Sequence, residues 1–141
     1  MQIIVSTMPP DYAEKLSQTI TREEYTESLA SWINGYCNIS HACSRHAGWW
    51  DRDRNFGELI ALIHSEVSEA MEGGRKDKQD EHLPNRSSVA VELADAVIRI
   101  ADLAGALGIP LGTVIVEKMV YNSQREDHKR ETRAKAGGKQ F

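Results

Sequence analysis

The sequence predicts an all-α protein in which four helices pack as a four-helix bundle. Three observations carry this expectation. Apolar residues recur at helical spacing in four separate stretches, and helix-starting residues precede most of them. No stretch alternates apolar and polar residues with the period of a half-buried strand. The connections between the stretches are short, which favours neighbouring helices in a bundle. With 141 residues, 40% of them hydrophobic and 27% charged, the chain is long enough to bury the core of one domain.

Residues 1–25 are weakly patterned and read as an N-terminal extension. Thr21, followed three residues later by Glu24, forms a capping box for a first helix reaching about Arg45. Its apolar positions include Tyr25, Leu29, Trp32, Ile33 and Tyr36. Gly48 ends it, and GWWDRDRNFG connects onward. A second helix is expected from about Asn55 to Glu72, stopped by Gly73-Gly74. The polar stretch RKDKQDEHLPNRSS, which contains Pro84, is a loop. The third helix begins after Ser87 or Ser88 and ends near Gly108. Pro110 opens the fourth, expected to reach about Arg133. The domain therefore covers residues 26–134, and residues 135–141 form a tail that closes over a ligand.

Charge and cysteine usage narrow the function classes. A net charge of -4 argues against a general nucleic-acid polymer as partner. Residues 128–141 nevertheless hold five Lys/Arg against one Glu, so an acidic body carries a basic end. Such a chain suits a site that holds both metal ions and phosphates; a solvated tail is the plainer reading. The start MQIIVSTMPP lacks the basic region of a secretory leader. The most apolar span, residues 97–116, is interrupted by Arg99 and Asp102, so no membrane partner is expected. Cys37 and Cys43 make no disulfide framework, and a cytoplasmic location is expected. The tract CNISHACSRH invites a zinc site of Cys37, His41, Cys43 and His46. At ~100° per residue, however, Cys43 lies about 120° round from the face shared by Cys37 and His41.

The third helix carries the clearest chemistry. Between Val89 and Leu107 the only residues that are not apolar, Ala or Gly are Glu92, Asp95, Arg99 and Asp102. At ~100° per residue these share an arc of about 80°. This predicts a helix buried nearly all round with one narrow charged line, and buried carboxylates must be paired or bound to a metal. On the second helix Glu58, Glu66, Glu69 and Glu72 fall within about 120°. The pairs Glu66/Glu69 and Glu92/Asp95, both at i, i+3, would set four carboxylates around one cavity. Such hard oxygen ligands select Mg2+, or Mn2+ as a substitute, over zinc. Taken alone, a Glu-x-x-Glu pair is also common on a solvated helix. Di-iron bundles need Glu-x-x-His, and no Glu here has His three positions later.

On the fourth helix Lys118, Asn122 and Arg125 stand at i, i+4 and i+7 on one face. Two cations and an amide in line suit a polyphosphate, as do the backbone donors of Gly137-Gly138-Lys139; the alternative is a solvated basic face with a frayed end.

The order Glu66-Val-Ser-Glu69, twenty-two residues, then Glu92-Leu-Ala-Asp95 resembles the MazG-like all-alpha NTP pyrophosphohydrolases. The resemblance covers about residues 40–141 and is closest to small phage-type members. Those share a Gly-aromatic-aromatic turn (Gly48-Trp49-Trp50), a phrase like NFGELIALIHSEVSEA (residues 55–70), and a YNxxR…GGK ending, here Tyr121 to Arg125 and Gly137-Gly138-Lys139. The first twenty-five residues match nothing in that pattern. The resemblance implies metal binding and catalysis by Glu66, Glu69, Glu92 and Asp95, and phosphate binding by Lys118, Asn122, Arg125 and Lys139. It also implies an obligate homodimer or homotetramer, in the host cytoplasm if the gene is a phage's. The substrate would be a nucleoside triphosphate, dGTP or dATP as in the MazZ subgroup, cut to monophosphate and pyrophosphate. Trp49, Trp50 or Phe56 would stack on the base, with core packing as the alternative for these rings. Two other classes remain, a non-hydrolysing nucleotide sensor and a helical interaction protein.

Overall fold

The computed structural model of the chain describes Lys15, residues 23–135 and Gly137. The described residues are mostly helical and contain no β-strand. Helix α1 is Glu23–His46, α2 Phe56–Lys76, α3 Ser88–Ala106 and α4 Leu111–Gln124. A 3₁₀ turn, Glu126–His128, and a one-turn helix α5, Arg130–Arg133, follow. The Thr21 cap, nearly all of the expected N-terminal extension, and Gly138 and Lys139 of the tail lie outside the described residues. No single helix among the described residues is long and apolar enough to cross a membrane.

Local chemistry accounts for most boundaries. Asn55 and Ser87 are the N-caps of α2 and α3; both have extended backbone, and their side chains accept from the N–H of Glu58 and Ala90. Helix α2 does not stop at Gly73-Gly74 as expected. It runs on to Lys76, and Asp77, at φ 51°, closes it by donating its N–H to the Gly73 carbonyl. The reason is that Gly73 serves a close approach. A Cβ there would lie 2.5 Å from Ser88 Oγ, so the missing side chain lets the start of α3 touch the end of α2.

Helix α4 ends earlier than expected, at Gln124, and the backbone of Arg125 is extended (ψ 130°). From Ser123 to Arg133 the sequence SQREDHKRETR contains no apolar residue. Helix stability comes mostly from packing an apolar face, so nothing holds the helix on. Local charge pairs, Arg125 on Asp127 and Lys129 on Glu126, shape this end instead.

The described residues divide into two compact units. In the first, Gly35–Ile109, α2 and α3 form an antiparallel hairpin, with Gly73 beside Ser88 at one end and Glu66 beside Arg99 further along. Residues 35–46 of α1 lie on α3. Ser40 Oγ donates to the Ile98 carbonyl, and a Cβ on Gly105 would come within 2.7 Å of the Cys37 carbonyl oxygen. Small side chains dominate the buried positions, with Cys37, Ala70, Ala96, Ala101 and Ala104 among them. The helices can therefore approach closely.

The sequence predicts α3 buried nearly all round, and the single chain departs from that. Leu93, Val97 and Ile100 lie at i, i+4 and i+7 on one face and are 50%, 54% and 40% exposed. Among the described residues of this unit α2 and part of α1 flank α3, and these two neighbours leave one face uncovered.

The second unit comprises residues 23–34 and 110–135 among those described. The N-cap of α4 is Pro110, which has no side chain to cap with. Asn34 of α1 performs that task. Its Oδ1 accepts from Gly112 N at 2.7 Å and its Nδ2 donates to Thr113 Oγ1 at 3.3 Å. Gly112 lies directly on the backbone of Ala30.

Candidate functional site

The hairpin register builds the site. Glu66 and Glu69 are one turn apart on α2, and the antiparallel pairing sets Glu92 of α3 opposite them. One carboxylate oxygen from each of the three lies within 4.8 Å of the others. Glu66 is buried, Glu92 half-buried and Glu69 exposed. The electrostatics register the crowding. Burial pushes the Glu92 carboxyl above its ordinary value, and the charge of Glu69, the hydrogen bond and charge of Glu66 and the charge of Asp95 push it further. Arg99 offsets part of this charge by donating Nε to Glu66 Oε1 at 2.5 Å.

Three convergent carboxylates, one buried and one held above its usual range, are oxygen donors suited to a hard divalent cation. The trio fits Mg2+ or Mn2+. Asp95, the fourth residue expected there, stands outside the trio. It adds negative charge beside Glu92 and lines the neighbouring cavity. Arg99, placed on the same charged line of α3, pairs across the hairpin with Glu66.

A prediction follows for Glu92→Gln. Without metal, this substitution removes a crowded charge and should raise Tm by roughly 2–4 °C, the response to about 1 kcal/mol. In the wild type, millimolar Mg2+ should raise Tm by mass action, and in the variant that rise should shrink. Thermal scans with and without Mg2+ check both. A lower metal-free Tm for the variant would mean that the Glu92 charge is well compensated.

A cavity of about 270 Å³ meets the trio through Arg99, which lines its wall and bonds Glu66. Its wall includes Ser44, Trp49 and Arg54 together with Asp95, Arg99 and Asp102 of α3. Asp95 and Asp102 are two helical turns apart, ~10 Å along the axis, so the cavity reaches away from the acidic trio. At its far end the Asp102 carboxylate accepts from Trp50 Nε1 at 3.0 and 3.2 Å and from His41 Nδ1 at 2.8 Å. The His41 and Trp50 rings meet edge-on, 5.1 Å apart. Arg54 is locked. Its side chain is 6% exposed, Nη1 donates to the Trp49 carbonyl, and Nη2 donates to Glu58. Its buried Nε finds no partner among the described residues.

The three expected base-stacking rings differ in position. Trp49 is 57% exposed on the cavity wall, Trp50 anchors Asp102, and Phe56 is exposed at the start of α2. The expected phosphate contacts lie in the second unit. Lys118 Nζ and the Arg125 guanidinium stand 4.7 Å and 5.8 Å from the Tyr121 ring centre. Arg125 forks onto Asp127 through Nε and Nη2, and its hydrogen bonds hold the Asp127 carboxyl below its ordinary value. Because Arg125 follows the end of α4, it leaves the helical line of Lys118 and Asn122. Asn122 Oδ1 is buried without a partner among the described residues.

The tract that invites a zinc reading is dispersed. Cys37 is buried, Cys43 is exposed and His41 is engaged by Asp102. Sequence reasoning missed Arg54 and the His41–Asp102–Trp50 set. Asp102 carried a signal, as the last member of the charged line on α3, but its partners lie sixty-one and fifty-two positions away. Compared with known proteins, the chain matches no family model, no curated protein and no solved structure.

Proposed function

We propose that the chain is a magnesium-dependent nucleoside triphosphate pyrophosphohydrolase of the MazG-like kind, with a purine deoxynucleotide, dGTP or dATP, as substrate. The observation that carries this reading is the convergence of Glu66, Glu69 and Glu92 beside a cavity walled by Trp49 and by Asp95. Glu66, Glu69 and Glu92 would hold a divalent ion, which would supply the positive charge that a triphosphate needs and lower the pKa of nearby water. The protein's own groups do the rest. Glu69, the exposed member, accepts a proton from the attacking water. That water adds to the α-phosphorus, the α–β anhydride bond breaks, and pyrophosphate leaves with the bridging oxygen. Trp49 offers a stacking face to the base, worth ~1–3 kcal/mol.

The functional protein is a homodimer or homotetramer in this reading, and its helices complete a bundle. What supports this is the uncovered stripe of Leu93, Val97 and Ile100 on α3, a face that a second copy would bury. The free thiols Cys37 and Cys43 accord with a reducing cytoplasm.

Incubation with each dNTP and NTP plus Mg2+, followed by chromatography, tests the activity. Equal amounts of monophosphate and pyrophosphate should appear, fastest from a purine deoxynucleotide. A preference for a pyrimidine rejects the substrate, and equal rates on all would instead indicate general removal of triphosphates. Metal-dependent binding without pyrophosphate release identifies a sensor. Absence of both binding and release leaves a helical interaction protein.

A further inference from the structure

We propose that Arg99 changes partner when metal arrives: it leaves Glu66 and turns its guanidinium to the polyphosphate of the substrate. The inference rests on the metal-site reading above and adds a residue to it. Glu66 is the buried member of the trio, its side chain 8% exposed, and the Nε of Arg99 balances its charge. A divalent ion among the three carboxylates draws on the same Glu66 group and places like charge beside the guanidinium. Both changes weaken the Arg99–Glu66 bond.

Arg99 has somewhere to go. Its side chain is 35% exposed, it lines the 270 Å³ cavity, and among the described residues its hydrogen bond to Glu66 runs through Nε. The cavity's other guanidinium, Arg54, is committed to Trp49 and Glu58 and cannot follow. Of the cavity's carboxylates, Asp102 already holds Trp50 and His41. Arg99 is therefore the cation of this cavity that is able to move. Its flat fork of donors matches phosphate oxygens. Metal and triphosphate binding become coupled, because metal releases the cation that the triphosphate takes.

The test compares wild type with Arg99→Leu and Arg99→Lys. Free Mn2+ is counted by electron paramagnetic resonance without nucleotide. Binding of a dGTP analogue with a methylene bridge between the α and β phosphorus atoms is then measured with Mn2+ present. In Arg99→Leu, Mn2+ alone should bind more tightly, on the order of tenfold, because its competitor is gone. The analogue should bind more weakly by on the order of tenfold or more, the loss of a charge-assisted contact. Arg99→Lys should recover part of the analogue binding. Weakened Mn2+ binding in Arg99→Leu would make Arg99 a fixed support of Glu66 and overturn the exchange. Tightened Mn2+ binding with unchanged analogue binding would overturn the phosphate contact. Wild type that binds no Mn2+ at millimolar concentration would overturn the metal-site reading itself, and the exchange with it. Wild type that binds Mn2+ while both variants match it in every measurement would overturn the exchange alone.

Discussion

Glu66→Gln should lose pyrophosphate release by a hundredfold or more, about 2.7 kcal/mol of transition-state stabilisation. Glu66 unites both requirements of the site, since it is the buried carboxylate of the trio and the partner of Arg99. The amide keeps the shape but not the charge, so on the proposed reading a cation would lose its innermost ligand. Stability should also fall, by about 1 kcal/mol, because Arg99 loses a charged partner while keeping some contact with solvent. Glu66→Gln and Glu92→Gln are thus expected to act alike on the reaction and oppositely on the metal-free fold. Pyrophosphate release and metal-free Tm, measured on both variants, make the comparison. A Glu66→Gln protein of wild-type rate would remove the trio from the chemistry.

The largest effect on the fold is expected at Gly112. A Cβ there would run into the carbonyl oxygen, carbonyl carbon and Cα of Ala30, and all three are backbone atoms. No side-chain rotation relieves such a clash, so α4 must move off α1. That movement also stretches the Asn34–Gly112 cap bond. Gly112→Ala should cost about 3 kcal/mol, the upper end for an overpacked site, and lower Tm by roughly 6–12 °C. Gly35→Ala is the matched control. Gly35 is helical and nothing among the described residues lies within 4 Å of its missing Cβ, so alanine there should stabilise by about 0.5–1 kcal/mol. Circular-dichroism melting of the two variants should show opposite shifts. A Gly112→Ala protein that melts like wild type would mean the two helices are not this close.

The sequence by itself determined the helical character of the chain and the starts of α2, α3 and α4, because these rest on local signals. Apolar period, Asn55 and Ser87 as caps, and Pro110 ahead of α4 all act within one or two turns. It also determined that Glu66 and Glu69 share a face, since spacing along one helix decides that. Where a residue's meaning depends on another helix, local signals misled or said nothing. Gly73 reads locally as a stop, yet α2 continues because Ser88 approaches there. Arg99 reads locally as a neighbour of Asp95, yet the hairpin register delivers it to Glu66. His41 shares a face with Cys37 along α1, yet its partner is Asp102 of α3. Only the tertiary structure decided these pairings, since they are set by helix register and closest approach, which no spacing along a single helix encodes.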